Sequence, residues 1–143
     1  KTRNVHDQLH QIWRGMADEG AISEEQYRNG TVLNFYKSPE EFMAPLKDEG
    51  SAPYQNGLRL VNERTVYVKC PYRRRWNEDG DTAAFASGLM ATIRSWSRHS
   101  FASAAGDAAA DTVYSRLEQR IAEAPSEWSL DYVEHHQMME KVA

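Results

Sequence analysis

The chain has 143 residues, of which 41% are hydrophobic and 27% are charged, and its formal net charge is −4. This balance is typical of one globular domain, and the acidic charge gives no general attraction for nucleic acid or for an anionic membrane. No apolar run reaches the ~18 residues of a transmembrane helix, and no signal-peptide core is visible. The single cysteine, Cys70, cannot form an internal disulfide. We therefore expect a soluble, cytoplasmic protein.

Helical patterns dominate the first fifty residues. An amphipathic helix is predicted over residues 4–19, with Gly20 as its stop, because Val5, Leu9, Ile12 and Met16 lie on one stripe. A capping box, Ser23-x-x-Gln26, opens a short helical turn.

A second capping signal follows at Ser38-Pro39-Glu40-Glu41. It predicts a helix that starts at Pro39, has Phe42 and Leu46 on its apolar edge, and ends by Gly50. Residues 51–57 contain proline, asparagine and glycine and are predicted to be a turn.

Two strands are predicted in the rest of the chain, at residues 58–69 and 130–142. In the first, four apolar residues share one parity, as in a half-buried strand: Leu58, Leu60, Val66 and Val68. The polar centre at residues 62–64 interrupts this alternation. It indicates one long strand with a bulge or bend, or alternatively a tight hairpin.

Three arginines, residues 73–75, stand between Tyr72 and Trp76. They could grip a phosphate or a carboxylate, or they could belong to a solvated loop that continues to Gly80. In an acidic chain the loop is the favoured interpretation.

The longest predicted helix covers residues 81–101. Its apolar stripe steps by four, four and three residues through Phe85, Leu89, Ile93 and Trp96. Arg94 sits at the margin of this stripe, so the helix is either a core helix with an arginine that reaches solvent or the wall of a ligand pocket. Residues 102–110 are predicted to form a loop or a helix corner, and a further helix is predicted to start at Asp111 or Thr112.

Self-contained catalytic signatures are absent. The chain has no glycine-rich phosphate loop, no His-Glu-x-x-His and no Cys-x-x-Cys. His135 and His136 would face opposite sides of a strand, so they could not share one metal ion. The sequence thus predicts no catalytic residue and no metal site within this chain.

Four segments occur in an order that resembles the C-terminal part of the S-adenosylmethionine-dependent carboxyl methyltransferases of the salicylate, benzoate and theobromine (SABATH) type. The segments are Met16 to Glu25, Leu33 to Phe42, Thr92 to Trp96 and Tyr132 to Val142. Each motif is weak by itself, and their colinearity carries the resemblance.

The resemblance implies an α+β architecture, in which a mostly helical cap and two antiparallel strands complete the sheet of a Rossmann-like methyltransferase. The chain would be a single C-terminal substrate-capping region, with the residues that bind S-adenosylmethionine upstream. The substrate would be a small-molecule carboxylic acid, and by matching position Tyr36, Ile93 and Trp96 would line its site. No nucleic acid or membrane partner is expected, and a homodimer is left open.

The sequence also departs from the family pattern. Thr31-Val32-Leu33-Asn34 stands where the family has Phe-Asn-x-Pro, and Ser97-Arg98 replaces an acidic Glu-Pro pair. A bacterial or otherwise divergent member with a reshaped pocket fits better than a salicylate enzyme. The alternative hypothesis is a helical protein–protein interaction module without catalysis, in which the stripes of residues 5–16 and 85–96 meet a partner.

Overall fold

The structure is a computed structural model that describes residues 2–32 and 37–142. It divides into two compact units. The helical unit comprises the described residues within 1–33 and 69–130, and the ribbon unit comprises those within 34–68 and 131–143. The α+β class, with mostly helices and one two-stranded antiparallel sheet, confirms that part of the prediction.

The elements follow one another in this order: α1 Val5–Asp18, α2 Glu24–Asn29, α3 Pro39–Lys47, α4 Ala52–Gln55, β1 Leu58–Val68, α5 Pro71–Asp79, α6 Thr82–Ala105, α7 Asp107–Glu123 and β2 Tyr132–Lys141. A short 3-10 turn, Pro125–Glu127, follows α7. In the described ranges, no helix combines the length and the apolar character needed to cross a bilayer.

The predicted helix starts in the first half are confirmed. The side chain of Asn4 accepts hydrogen bonds from the first turn of α1, and the two predicted capping boxes form at Ser23 and at Ser38. These caps are local chemistry between residues three apart, so the sequence predicts them well.

Residues 71–79, expected to be loop, form helix α5. Pro71 occupies the first turn, where its missing N–H costs nothing, and Gly80 ends the helix with a left-handed φ of 70°. The apolar side chains of this segment are too few to recur regularly at helical spacing, so hydrophobic patterning does not reveal the helix. Its ends are marked only by the capping residues.

The junction of α6 and α7 also differs from the prediction. Residues 102–105 extend α6, and α7 starts at Asp107 rather than at Asp111 or Thr112. The small residues of this stretch are good helix formers. Gly106, with φ 84°, supplies the left-handed turn between the two helices.

The core of the helical unit lies along one face of α6. This face steps by four throughout: Phe85, Leu89, Ile93, Ser97 and Phe101 are all buried. Trp96, predicted on the same stripe, is 41% exposed, so that assignment is wrong. Trp96 lies one position before the buried Ser97 and therefore falls at the side of this row.

In the ribbon unit, α3 buries Met43 and Leu46 but leaves Phe42 53% exposed. The predicted apolar edge was therefore off by one residue at its start. The predicted turn over residues 51–57 contains the short helix α4, capped by Ser51, before Gly57 leads into β1.

β1 and β2 pair antiparallel, with Leu58 opposite Lys141 and Val68 opposite Tyr132. A register shift between Leu60 and Asn62 confirms the long strand with a bulge rather than a hairpin. Because Leu60 pairs with Met139 and Asn62 with the adjacent Met138, the bulge turns the second half of β1 over. The expectation that Leu58 and Leu60 share a face with Val66 and Val68 is wrong for this reason.

Gly88 in α6 lies against the ring of Tyr72 in α5, and a Cβ there would overlap that ring. We predict that Gly88→Ala lowers the midpoint of thermal unfolding, although alanine is favoured over glycine in a helix by about 1 kcal/mol.

Gly15→Ala in α1 is the matched control, since its Cβ would meet nothing closer than 4.0 Å. That variant should raise the midpoint. Equal gains for both variants, measured by circular dichroism, would contradict the close α5–α6 packing.

Candidate functional site

The structure separates the residues that the sequence predicts for a substrate wall. Ile93 is fully buried in the core of the helical unit, and Trp96, three residues later on α6, is 41% exposed. Tyr36 lies outside the described residues. In this conformation Trp96 alone of the described pair offers a surface to a ligand.

Trp96 belongs to a surface shared by three helices, which we call the aromatic strip: His6, His10, Arg14, Tyr27 and Trp96. The rings of His6 and Trp96 have centroids 5.0 Å apart, and those of His10 and Tyr27 are 5.9 Å apart. The Tyr27 hydroxyl lies 3.3 Å from His10 Nε2. Spacing by four on α1 brings the three α1 residues to one side, a signal that the sequence contained but that sequence reasoning missed.

The charges of the strip are partly satisfied. Arg14 donates to Asp18 and to Glu24, and its guanidinium lies 4.6 Å from the centre of the Tyr27 ring. Partial burial lowers the pKa of His6, against an opposing effect of Asp7. The strip therefore presents flat rings with polar edges, which suit an aromatic or apolar molecule better than a bare anion.

Arg94, beside Trp96, is engaged with α7. It forms an ion pair with Asp111, and its guanidinium lies 5.3 Å from the centre of the Tyr114 ring. Below it, Ser97 Oγ donates to the Ile93 carbonyl at 2.7 Å and lies 2.8 Å from the Tyr114 hydroxyl. Burial raises the pKa of Tyr114. These contacts favour the interpretation of α6 as a core helix whose arginine reaches solvent.

The arginines of α5 have different roles. Arg73 donates to three backbone carbonyls, those of Pro125, Ser126 and Trp128, at 2.6, 2.9 and 3.1 Å. Arg75 pairs with Asp79. Because the guanidinium of Arg73 is hydrogen-bonded to backbone carbonyls, the three arginines do not together form a phosphate-binding site.

A polar cluster lies on the ribbon. Thr65 Oγ1 is 3.2 Å from His135 Nδ1, His135 Nε2 is 3.4 Å from Glu63 Oε2, and Lys47 of α3 is 3.6 Å from Glu63. His135 Nε2 is buried without a hydrogen bond. Its distance to the carboxylate exceeds the roughly 2.6–3.2 Å of a base and its orienting group. We therefore interpret the cluster as a link between α3 and the ribbon.

Metal ligation has little support in the described ranges. They contain no group of three or more histidine, cysteine, aspartate or glutamate side chains that could hold an ion. His135 pairs across the ribbon with Thr65 and His136 with Arg64. As neighbours on one strand they point to opposite faces.

The Arg73 contacts generate a stability prediction. Arg73→Met would leave three carbonyls without their charged donor and should lower the free energy of unfolding by about 2 kcal/mol or more.

Arg74→Met is the control, since Arg74 is exposed, and its effect should stay within about 0.5 kcal/mol. Urea unfolding monitored by tryptophan fluorescence measures both. A loss for Arg73→Met no larger than that for Arg74→Met would refute the structural role of Arg73.

Comparison with known proteins does not identify the chain. No model of a protein family matches it, and no curated protein is significantly similar to it.

Proposed function

We propose that this chain is the C-terminal, substrate-binding part of an S-adenosylmethionine-dependent methyltransferase that methylates the carboxylate of a small molecule. The observation that carries the proposal is the ribbon unit. Its two strands are adjacent in space but separated in sequence by the helices of residues 69–130. The colinear motifs of the sequence are the second support.

A two-stranded sheet has little stability by itself in water, because it leaves much of its apolar surface exposed. Here large apolar side chains of the ribbon are between 47% and 76% exposed: Val61, Tyr67, Tyr132, Val133, Met138 and Met139. Such a surface suits a strand pair that extends a larger sheet. In the proposed enzyme that sheet belongs to the cofactor-binding domain.

The residues present do not fit the cofactor. A glycine-rich loop at the end of a strand is absent from the sequence, and such a loop is the usual cradle of a nucleotide-like cofactor. We therefore assign S-adenosylmethionine binding to sequence upstream and derive no catalytic step within this chain.

The contribution of this chain is to position the acid and exclude water around it. Methyl transfer to a carboxylate depends mainly on alignment of the two reactants. The exposed ring of Trp96, with His6 beside it, is the described surface that can pack against the apolar body of a substrate. Ile93 would not contact the substrate. It would contribute to the buried packing that holds α6 in place.

The alternative function, a helical interaction module, loses part of its basis. It required the apolar stripes of α1 and α6 to contact a partner protein. The stripe residues from Val5 to Met16 and from Phe85 to Ile93 are instead buried within their own unit. An interaction module that uses the ribbon instead would bury the same surface that the methyltransferase proposal assigns to a sheet.

The proposal is tested on the full-length protein from the natural reading frame. It should transfer the labelled methyl group of S-adenosylmethionine to at least one member of a panel of aromatic and aliphatic carboxylic acids, giving base-labile methyl esters. A full-length protein that binds no S-adenosylmethionine would refute the proposal.

In that enzyme, Trp96→Ala should raise the KM for the acid by about tenfold, equivalent to ~1.4 kcal/mol, with a smaller change in kcat. Phe42→Ala, which removes another exposed aromatic ring, should leave both parameters near those of the wild type. Equal effects of the two variants would remove Trp96 from the substrate wall.

The 143-residue chain alone should bind S-adenosylmethionine negligibly in a calorimetric titration. Micromolar affinity would contradict the assignment of the cofactor site to upstream sequence.

A further inference from the structure

We infer that His6 is a positioning residue for Trp96, whose ring holds the indole in one orientation at the surface of the helical unit. The two rings belong to the first turn of α1 and to the second half of α6. The consequence for a substrate rests on the proposed function, because it requires that Trp96 packs against the acid.

The rings of His6 and Trp96 are in direct contact. Their centroids lie 5.0 Å apart and their planes are tilted by 51°, a geometry in which aromatic rings attract each other. Within residues 2–32 and 37–142, His6 is the aromatic residue that packs on the indole. Trp96 is nevertheless 41% exposed, so the imidazole covers one part of the ring while another part faces solvent.

The backbones that carry the two rings are both fixed. Val5, next to His6, and Ile93, one turn before Trp96, belong to the same buried core. Asn4 Oδ1 accepts a hydrogen bond from the His6 N–H at 2.9 Å as part of the cap of α1. The freedom that remains to Trp96 therefore lies in its side-chain torsions, which the ring of His6 restrains.

Such a restraint increases the affinity for a ligand. A large side chain on a helix surface changes rotamer unless a neighbour holds it, and its freedom is lost when a ligand packs on it. A ring that is already held loses less conformational entropy, which improves binding by a few-fold. His6 would therefore strengthen substrate binding through Trp96, without contact between the imidazole and the substrate.

The imidazole that packs on Trp96 is mainly neutral above about pH 7. Partial burial lowers the pKa of His6 from its usual value of 6.5, against the opposing effect of Asp7. His6 also stands in the first turn of α1, where the helix dipole disfavours a positive charge. Another neutral aromatic ring can therefore replace the imidazole, and phenylalanine is the conservative substitution.

The first test observes Trp96 in the absence of substrate. The full-length protein is labelled with fluorotryptophan, and the fluorine NMR signal of Trp96 is assigned with Trp96→Phe. His6→Ala should shift this signal and change its relaxation towards that of a more mobile ring, whereas His6→Phe should retain the restrained relaxation. Gln11→Ala, an exposed position on α1, is the matched control and should leave the signal unchanged. Relaxation of Trp96 that does not respond to His6→Ala would overturn the inference.

The second test determines whether the effect of His6 passes through Trp96. With an acid that the full-length enzyme methylates, His6→Ala should raise KM about fivefold and change kcat by less than about twofold, and His6→Phe should restore KM. In a Trp96→Ala background, His6→Ala should cause no further rise, because the ring that it positions is gone. An equal rise in both backgrounds would overturn the inference, since His6 would then act on the substrate or on the fold.

The two tests separate this inference from the proposed function. Methyl transfer with a KM that His6→Ala leaves unchanged would retain the enzyme assignment and refute the positioning role of His6. A full-length protein that forms no methyl ester would refute the proposed function. The fluorine relaxation of Trp96 would then decide the role of His6, because that measurement needs no substrate.

Discussion

The pairing of β1 with β2 is the constraint on which the rest of the structure depends. Val68 at the end of β1 lies opposite Tyr132 at the start of β2, so the intervening helices must begin and end at neighbouring points. Closing so long a connection costs conformational entropy. Arg73 offsets part of this cost because it ties the start of α5 to the carbonyls of residues 125, 126 and 128, near the end of the insertion. An arginine that resembles a ligand-binding group thus has a structural role.

The two units contribute different properties to the proposed function. The helical unit is a packed core that holds Ile93 inside and leaves Trp96 at the surface beside His6. The ribbon unit has an exposed apolar surface. Together these features favour a substrate-facing cap attached to a larger sheet.

Predictions from the sequence succeeded where neighbouring residues decide the structure. The capping boxes at Ser23 and Ser38 are encoded within a few residues, and apolar spacing predicted the helix of residues 81–101 and the long strand with a bulge. They failed where packing or caps override the pattern. Helix α5 has no apolar stripe, so its residues were expected to form a loop. The alanine-rich residues on both sides of Gly106 belong to α6 and α7 and do not form a loop. Of the two described residues predicted for the substrate wall, Trp96 is exposed whereas Ile93 belongs to the core.

The sequence by itself determined the helix caps, the approximate extent of both strands and the mostly helical α+β class, because these follow from short-range hydrogen bonding and apolar spacing. Only the tertiary structure decided which side chains of α6 are covered, that Arg73 binds backbone rather than ligand, and that the bulge puts Leu60 and Val66 on opposite faces of the ribbon. Each of these depends on partners distant in sequence. A period of apolar residues shows that a face will be buried, but the position of its partners decides where that face ends.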